Sequence, residues 1–170
     1  MIKAILIINN YGKPRLTKFY ELIGQEEKQQ EVIREIFKLL SKRTEYMCNF
    51  VEGGAKWGKN TKIVYRQYAT LYFIFWVDDS ESELGILDLI QVFVESLDSC
   101  FENVCELDII FSMDKVHYIL KEIVMGGMVL DTDMAAILKA YNDQQALVKG
   151  ENKLQSGLDT VLTKARIKKR

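Results

Sequence analysis

Residues 69–77 read Ala69-Thr70-Leu71-Tyr72-Phe73-Ile74-Phe75-Trp76-Val77, almost entirely apolar and aromatic. Side chains of this kind suit a pleated strand. A strand without polar alternation has no face to offer to water, so this one belongs in the middle of a sheet covered on both sides. Working outward toward the N-terminus, two more strands are expected at about 46–52 and 62–67. Ahead of them Val32, Ile33, Ile36, Phe37 and Leu40 recur at helical spacing with charge on the other side, which predicts a helix over 25–42. The first twenty residues read as a hairpin. Residues 2–8 are a continuous aliphatic run, Asn9-Asn10-Tyr11-Gly12-Lys13-Pro14 supplies turn chemistry, and Arg15 to Glu21 sets Leu16, Phe19 and Tyr20 among polar residues.

Working outward toward the C-terminus, the pattern turns helical. Ser80, with Glu83 three residues later, gives a capping-box signature for a helix over about 82–102. That helix carries two apolar stripes: Leu87, Ile90, Val94, Leu97 and Phe101 on one, Ile86, Leu89, Val92 and Phe93 on the other. A surface helix needs one stripe about 100° wide. This helix should therefore be covered on two sides, by its own sheet and by something else. Short helices are expected at about 105–112 and 114–125, the second stopped by Gly126-Gly127. Thr132 can cap a last helix over 133–148. Residues 149–170 are polar and basic, lack strong apolar periodicity, and read as a flexible tail. Strand, strand, helix, three strands and then helices is the order of an α/β domain on an antiparallel or mixed sheet, not of a βαβ repeat.

Composition bounds the function. The chain has 170 residues, the size of one domain, and its 48% apolar and 28% charged content provides for a core and excludes wholesale disorder. A net charge of −1 argues against a nucleic-acid binder. The charge is unevenly placed: residues 151–170 carry +4 and residues 1–150 carry −5. One histidine, His117, rules out a multi-histidine metal site and leaves little for acid–base chemistry at neutral pH. Cys48, Cys100 and Cys105 are too few and too scattered for a disulfide framework or a zinc site. They are expected to be buried, reduced thiols of a cytosolic protein. The apolar run Ala4-Ile5-Leu6-Ile7-Ile8 falls short of the roughly 7–15 residues of a signal peptide and the roughly 20 of a membrane span. The expected location is the cytosol, with contact to membranes only from that side.

Two motifs invite an enzymatic reading. Gly53-Gly54-Ala55-Lys56-Trp57-Gly58-Lys59-Asn60 nearly matches a phosphate-binding loop. The last position needs a hydroxyl for magnesium and the motif must open a helix. Here Asn60 ends it and a strand pattern follows, so a loop between strands is expected. His117 lies downstream of Cys100 and Cys105, but Cys105 sits in an apolar segment and nothing nearby would orient the histidine, so no catalytic pair is expected. Arg15, beside Lys13, is a guanidinium suited to gripping a carboxylate or an ordinary surface arginine; the residues alone leave both open.

Several stretches resemble the small (sigma) subunits of clathrin-type adaptor complexes. They are Met1 to Ile8, Gly12-Lys13-Pro14-Arg15-Leu16 with Lys18-Phe19-Tyr20, Cys48-Asn49-Phe50-Val51-Glu52, Val64-Tyr65-Arg66 with Tyr68 to Phe73, and above all Phe101-Glu102-Asn103-Val104-Cys105-Glu106-Leu107-Asp108. The resemblance covers about residues 1–148, leaving 149–170 as a basic tail with no assigned role. The Gly53–Asn60 insertion, the run Ser82 to Gln91 and the run Val124 to Leu130 are similar to the complex 3 branch.

The resemblance implies an α+β, longin/SNARE-like fold: a five-stranded antiparallel sheet flanked by helices, with a helical C-terminal part. It implies a heterotetramer in which a large, delta-like chain cradles this one beside a second large (beta) chain and a medium (mu) chain. That cradle would account for the doubly apolar helix, and the isolated chain would then be poorly soluble. The implied function is cargo sorting from endosomal or Golgi membranes toward lysosomes or vacuoles, by reading acidic dileucine signals, [DE]-x-x-x-L-[LI], in cytosolic tails. No cofactor, metal or catalytic residue is implied. The leucine pocket would be lined by Ala69, Leu71, Val94, Asn103, Val104 and Ile109, and Arg15 would face the acidic residue together with a basic residue of the large chain. Ile109 stands where some relatives have leucine, which keeps the pocket's volume and alters its shape. The alternative is a longin-like structural subunit of another coat or tethering complex, blind to cargo.

Overall fold

A computed structural model describes residues 1–44, 46–53, 58 and 60–167. Five strands form one antiparallel sheet in the order β2-β1-β5-β4-β3. They are β1 (Ile2–Asn9), β2 (Pro14–Phe19), β3 (Phe50–Glu52), β4 (Thr61–Tyr68) and β5 (Leu71–Asp78). The apolar run quoted above becomes β5, between β1 and β4 at the centre. Helix α1 (Glu26–Leu40) carries the chain from β2 at one edge to β3 at the other. The third strand is shorter than expected, Phe50–Glu52 instead of 46–52, because Arg43 holds the preceding loop: its guanidinium donates to the Cys48 and Phe50 carbonyls.

Successive side chains of a strand point to opposite faces, and the unbroken apolar runs therefore feed two cores. On one face Ala4, Leu6, Ile8, Ile63, Ile74 and Trp76 pack against Val32, Ile33, Ile36 and Leu40 of α1. On the other, Ile5, Ile7, Phe73, Phe75 and Val77 pack against α2 (Glu83–Phe101) and the helices that follow.

Those helices are α3 (Glu106–Phe111), α4 (Met113–Ile123) and α5 (Met134–Ile167). They answer the question posed by the doubly apolar α2. Ile86, Leu89, Ile90, Phe93 and Leu97 are buried in one cluster with Val116, Ile119, Leu120 and Ile123 of α4 and Ile137 and Tyr141 of α5. Much of the second cover over α2 is supplied by this chain itself, while Leu87, Val92, Val94 and Phe101 of its two stripes stay half-buried. Leu84, 70% exposed at the helix start, is the large apolar side chain of α2 that faces solvent.

Several boundaries differ from the sequence expectation for local reasons. Helix α2 is capped by Ser82, whose Oγ accepts from the Gly85 N–H at 3.3 Å, and not by Ser80. The Ser80 hydroxyl is engaged with Asp78 instead. Asp133, not Thr132, caps α5: its Oδ1 accepts from the Ala135 N–H at 3.0 Å. Gly126-Gly127 does not stop a helix. Helix α4 ends at Ile123, and the two glycines turn a small hairpin of β6 (Val124–Met125) and β7 (Met128–Val129). Both have positive φ, +61° and +81°, the conformation that glycine adopts at least cost in a two-residue hairpin turn. Helix α5 runs to Ile167, past the expected end at 148. No proline interrupts residues 149–167, and an isolated glycine costs a helix only about 1 kcal/mol. Among the described residues, no helix is long and apolar enough to cross a membrane.

The cysteines are free, but Cys48 and Cys105 are exposed and only Cys100 is half-buried. The expectation of three buried thiols is corrected by position: Cys48 lies in the loop before β3 and Cys105 at the start of α3.

Candidate functional site

Most of the expected site lies on or next to four segments, the β1–β2 turn, the β4–β5 turn, the α2–α3 loop and α3, with Leu71 on β5 and Val94 on α2. The first two are joined directly: the Asn10 N–H donates to the Thr70 carbonyl at 2.9 Å. Asn9, the last residue of β1, is 3% exposed, and both ends of its side-chain amide are engaged. Its Oδ1 accepts from the N–H groups of Tyr11 (3.1 Å) and Lys13 (2.9 Å), the turn chemistry expected of this segment. Its Nδ2 donates to Glu106 Oε1 at 3.0 Å.

Arg15 points into the same place. Its Nε donates to that same Glu106 oxygen at 2.6 Å. The first turn of α3 is thereby tied to the first β-hairpin across 91 residues of sequence. Arg15, with Asn9 second, holds the Glu106 carboxyl below the usual range. Around the pair opens a cleft of about 610 Å³, with Lys13 and Arg15 on its polar side and Tyr11, Leu107 and Ile110 as apolar wall. The α3 start is fixed by Asp108, which accepts from the Cys105 N–H at 2.9 Å, a reciprocal cap at the helix entrance.

The apolar members of the expected pocket meet in the core under α2. Leu71 is 7% exposed and Ile109 fully buried, in one cluster with Phe73 and Phe93. Val94 and Val104 are half-buried against it. Ala69 and Asn103 lie apart, exposed on turns. Ala69 borders a separate cavity of about 450 Å³ on the α1 side, with Arg43, Tyr65 and Tyr72. Both have left-handed backbones, φ +50° at Ala69 and +77° at Asn103, beside Glu102 at +53°. Such strain is tolerated where surrounding structure imposes it. At Asn103, Asp98 does so, accepting from the Asn103 N–H through its carbonyl and from the Val104 N–H through its carboxylate.

The glycine-rich motif does not open a helix. The loop that includes Gly53 connects β3 to β4, which are paired antiparallel, so a strand follows where a phosphate loop needs a helix; Gly54 to Trp57 and Lys59 lie outside the described residues. Burial pushes the Cys100 thiol up to about 11, leaving it protonated and inert at neutral pH. Burial, and then Lys18 and Lys121, push the His117 pKa below its ordinary value. The sequence reading singles out Arg15 and gives no role to Asn9 or Glu106, its neighbours in the cleft. The Asn9 turn signal was legible; the Glu106 partnership spans the chain and leaves no local pattern.

Residues 1–148 match the clathrin adaptor complex small chain family. The chain is 65% identical over 165 residues to the AP-3 complex subunit sigma of Dictyostelium discoideum, covering 95% of this chain and 96% of that one. It is 61% identical to the AP-3 complex subunit sigma-2 of Homo sapiens, covering 92% of this chain and 81% of that one. It is 55% identical to the AP-3 complex subunit sigma of Schizosaccharomyces pombe, covering 89% and 91%. In three dimensions it is similar to a chain in a homology model of the full-length AP-3 complex in a stretched open conformation. That match has TM-score 0.69 and 37% identity, and covers 90% of this chain and 98% of that one. The longin-like sheet and the sequence matches agree, and the chain belongs to the clathrin adaptor complex small chain family, in its AP-3 sigma branch.

Proposed function

We propose that this chain is the small subunit of a heterotetrameric vesicle-coat adaptor and helps select membrane cargo carrying acidic dileucine signals. Its partners are a large, delta-like chain, the beta and mu chains, and the cytosolic tails of cargo. The route runs from endosome or Golgi to lysosome or vacuole, with the complex on the cytosolic face of those membranes. The chain binds and does not catalyse. Residues 1–148 form the domain, and 149–170 extend beyond it.

The observation that carries this reading is Arg15, at the rim of a cleft walled by Leu107 and Ile110. A guanidinium beside apolar walls suits a ligand that offers a carboxylate next to aliphatic side chains. Two leucines leaving water contribute about 1.5–3 kcal/mol each, weak enough for sorting that depends on several contacts at once. Ile109 is fully buried and Leu71 nearly so, so a leucine reaches them only after the residues that cover them move.

The test is dileucine peptide binding by the co-expressed complex. Val94→Asp or Leu71→Ser is expected to abolish binding while the subunits still assemble, and unchanged binding overturns the pocket. Arg15→Ser is expected to weaken acidic peptides by about tenfold and matched neutral peptides little; equal loss argues against its carboxylate role.

A further inference from the structure

We propose that Glu106, supported by Asn9, is a positioning residue that holds Arg15 by one edge and presents the other edge to a ligand carboxylate. This rests on the reading of Arg15 as the contact for the cargo's acidic residue.

Arginine binds carboxylates as a fork, through Nε and one terminal nitrogen or through both terminal nitrogens. Glu106 takes only the Nε, at 2.6 Å. Among the described residues the guanidinium makes no other hydrogen bond, so the edge formed by Nη1 and Nη2 is left for a second anion. The anchor itself is rigid. Glu106 Oε1 also receives the Asn9 amide at 3.0 Å, and Asn9 is buried and pinned by two backbone N–H groups of its own turn. A chain of four hydrogen bonds thus runs from the β1–β2 turn through Asn9 and Glu106 to Arg15.

Charge is consistent with this role. Lys13 and Arg15 line the cleft together with one carboxylate, Glu106, leaving an excess of one positive charge for the incoming acid. Glu106 does not fill the ligand's place; it fixes the direction of a long side chain that would otherwise have many rotamers. Preorganisation of this kind raises affinity by removing an ordering cost from the binding step.

The experiment measures acid preference in the assembled complex: the affinity for a dileucine peptide divided by that for its twin with Gln at the acidic position. Because each variant is compared with itself, a general loss of folding or assembly lowers both affinities and leaves the ratio alone. Glu106→Ala is expected to cut the ratio roughly fivefold or more. Glu106→Gln keeps an acceptor for both Arg15 Nε and Asn9 Nδ2, and is expected to hold the ratio at or above wild type. An unchanged or higher ratio in Glu106→Ala overturns the proposal, since the glutamate would then be a bystander or a competitor. A fall in Glu106→Gln as large as that in Glu106→Ala also overturns it, because charge and not geometry would be the agent. Absence of any acid preference in the wild-type complex removes the underlying reading of Arg15 as well; a wild-type preference that survives Glu106→Ala removes this proposal alone.

Discussion

At the scale of single residues, polar side chains at the end of the sheet fix elements that sequence leaves far apart. Glu106 accepts from both Arg15 and Asn9 and so pins α3 to the first hairpin. Its acidity carries a testable sign. The folded-state pKa lies below that of the unfolded chain, near 4.3 for an ordinary glutamate, because Arg15 first and Asn9 second favour the carboxylate. The contribution is therefore present above about pH 4.3 and is lost as pH falls through the depressed folded value. Urea midpoints of wild type and Glu106→Gln should differ at neutral pH and converge on acidification; a gap that stays constant to pH 3 would mean that the pair does not stabilise the fold. Arg15 was legible as a carboxylate-gripping candidate from its place after the turn, but its partner was not, since a contact across 91 residues leaves no spacing to read.

At the scale of elements, continuous apolar runs located the strands and period-3.6 patterns the helices, and the errors were helix and strand ends and one unexpected small hairpin. Ser80 and Ser82 are both plausible caps, and the choice is made by Asp78, which draws Ser80 away. Gly126-Gly127 stops a helix or turns a hairpin equally well in sequence. Tertiary contact selects the hairpin: the Ile2 N–H donates to the Gly127 carbonyl at 2.9 Å, and the Tyr20 hydroxyl donates to the Val124 carbonyl at 3.1 Å. The two glycines should respond differently to alanine. A Cβ at Gly126 meets nothing within 4 Å, so only the left-handed backbone opposes it, at about 1–2 kcal/mol. A Cβ at Gly127 would lie 2.4 Å from the Ile2 carbonyl oxygen, so that substitution must also displace the hairpin from β1. Chemical denaturation should find Gly127→Ala the more destabilised of the two; equal losses would show that the hairpin does not depend on this close approach.

At the scale of the whole molecule, one sheet separates two cores, and α4 and α5 close the larger of them over α2. Among the residues whose side chains are described, α5 contributes Ile137 and Tyr141 to that core, both from its first turns. A chain ending at residue 148 should therefore melt within about 3 °C of the full chain, a change under about 1 kcal/mol for this size. Ending it at 133 should abolish the cooperative transition in circular dichroism. A large drop for the longer truncation product would show that 149–170 docks on the domain. The sequence by itself determined the strand order along the chain, the burial of β5 on both faces and the family, because apolar periodicity and contiguous motifs are local properties of a chain. Tertiary structure alone decided what covers α2, which serine caps it and which carboxylate holds Arg15, because each depends on groups that meet only when distant segments pack, and competition among such partners is settled by geometry that no linear spacing encodes.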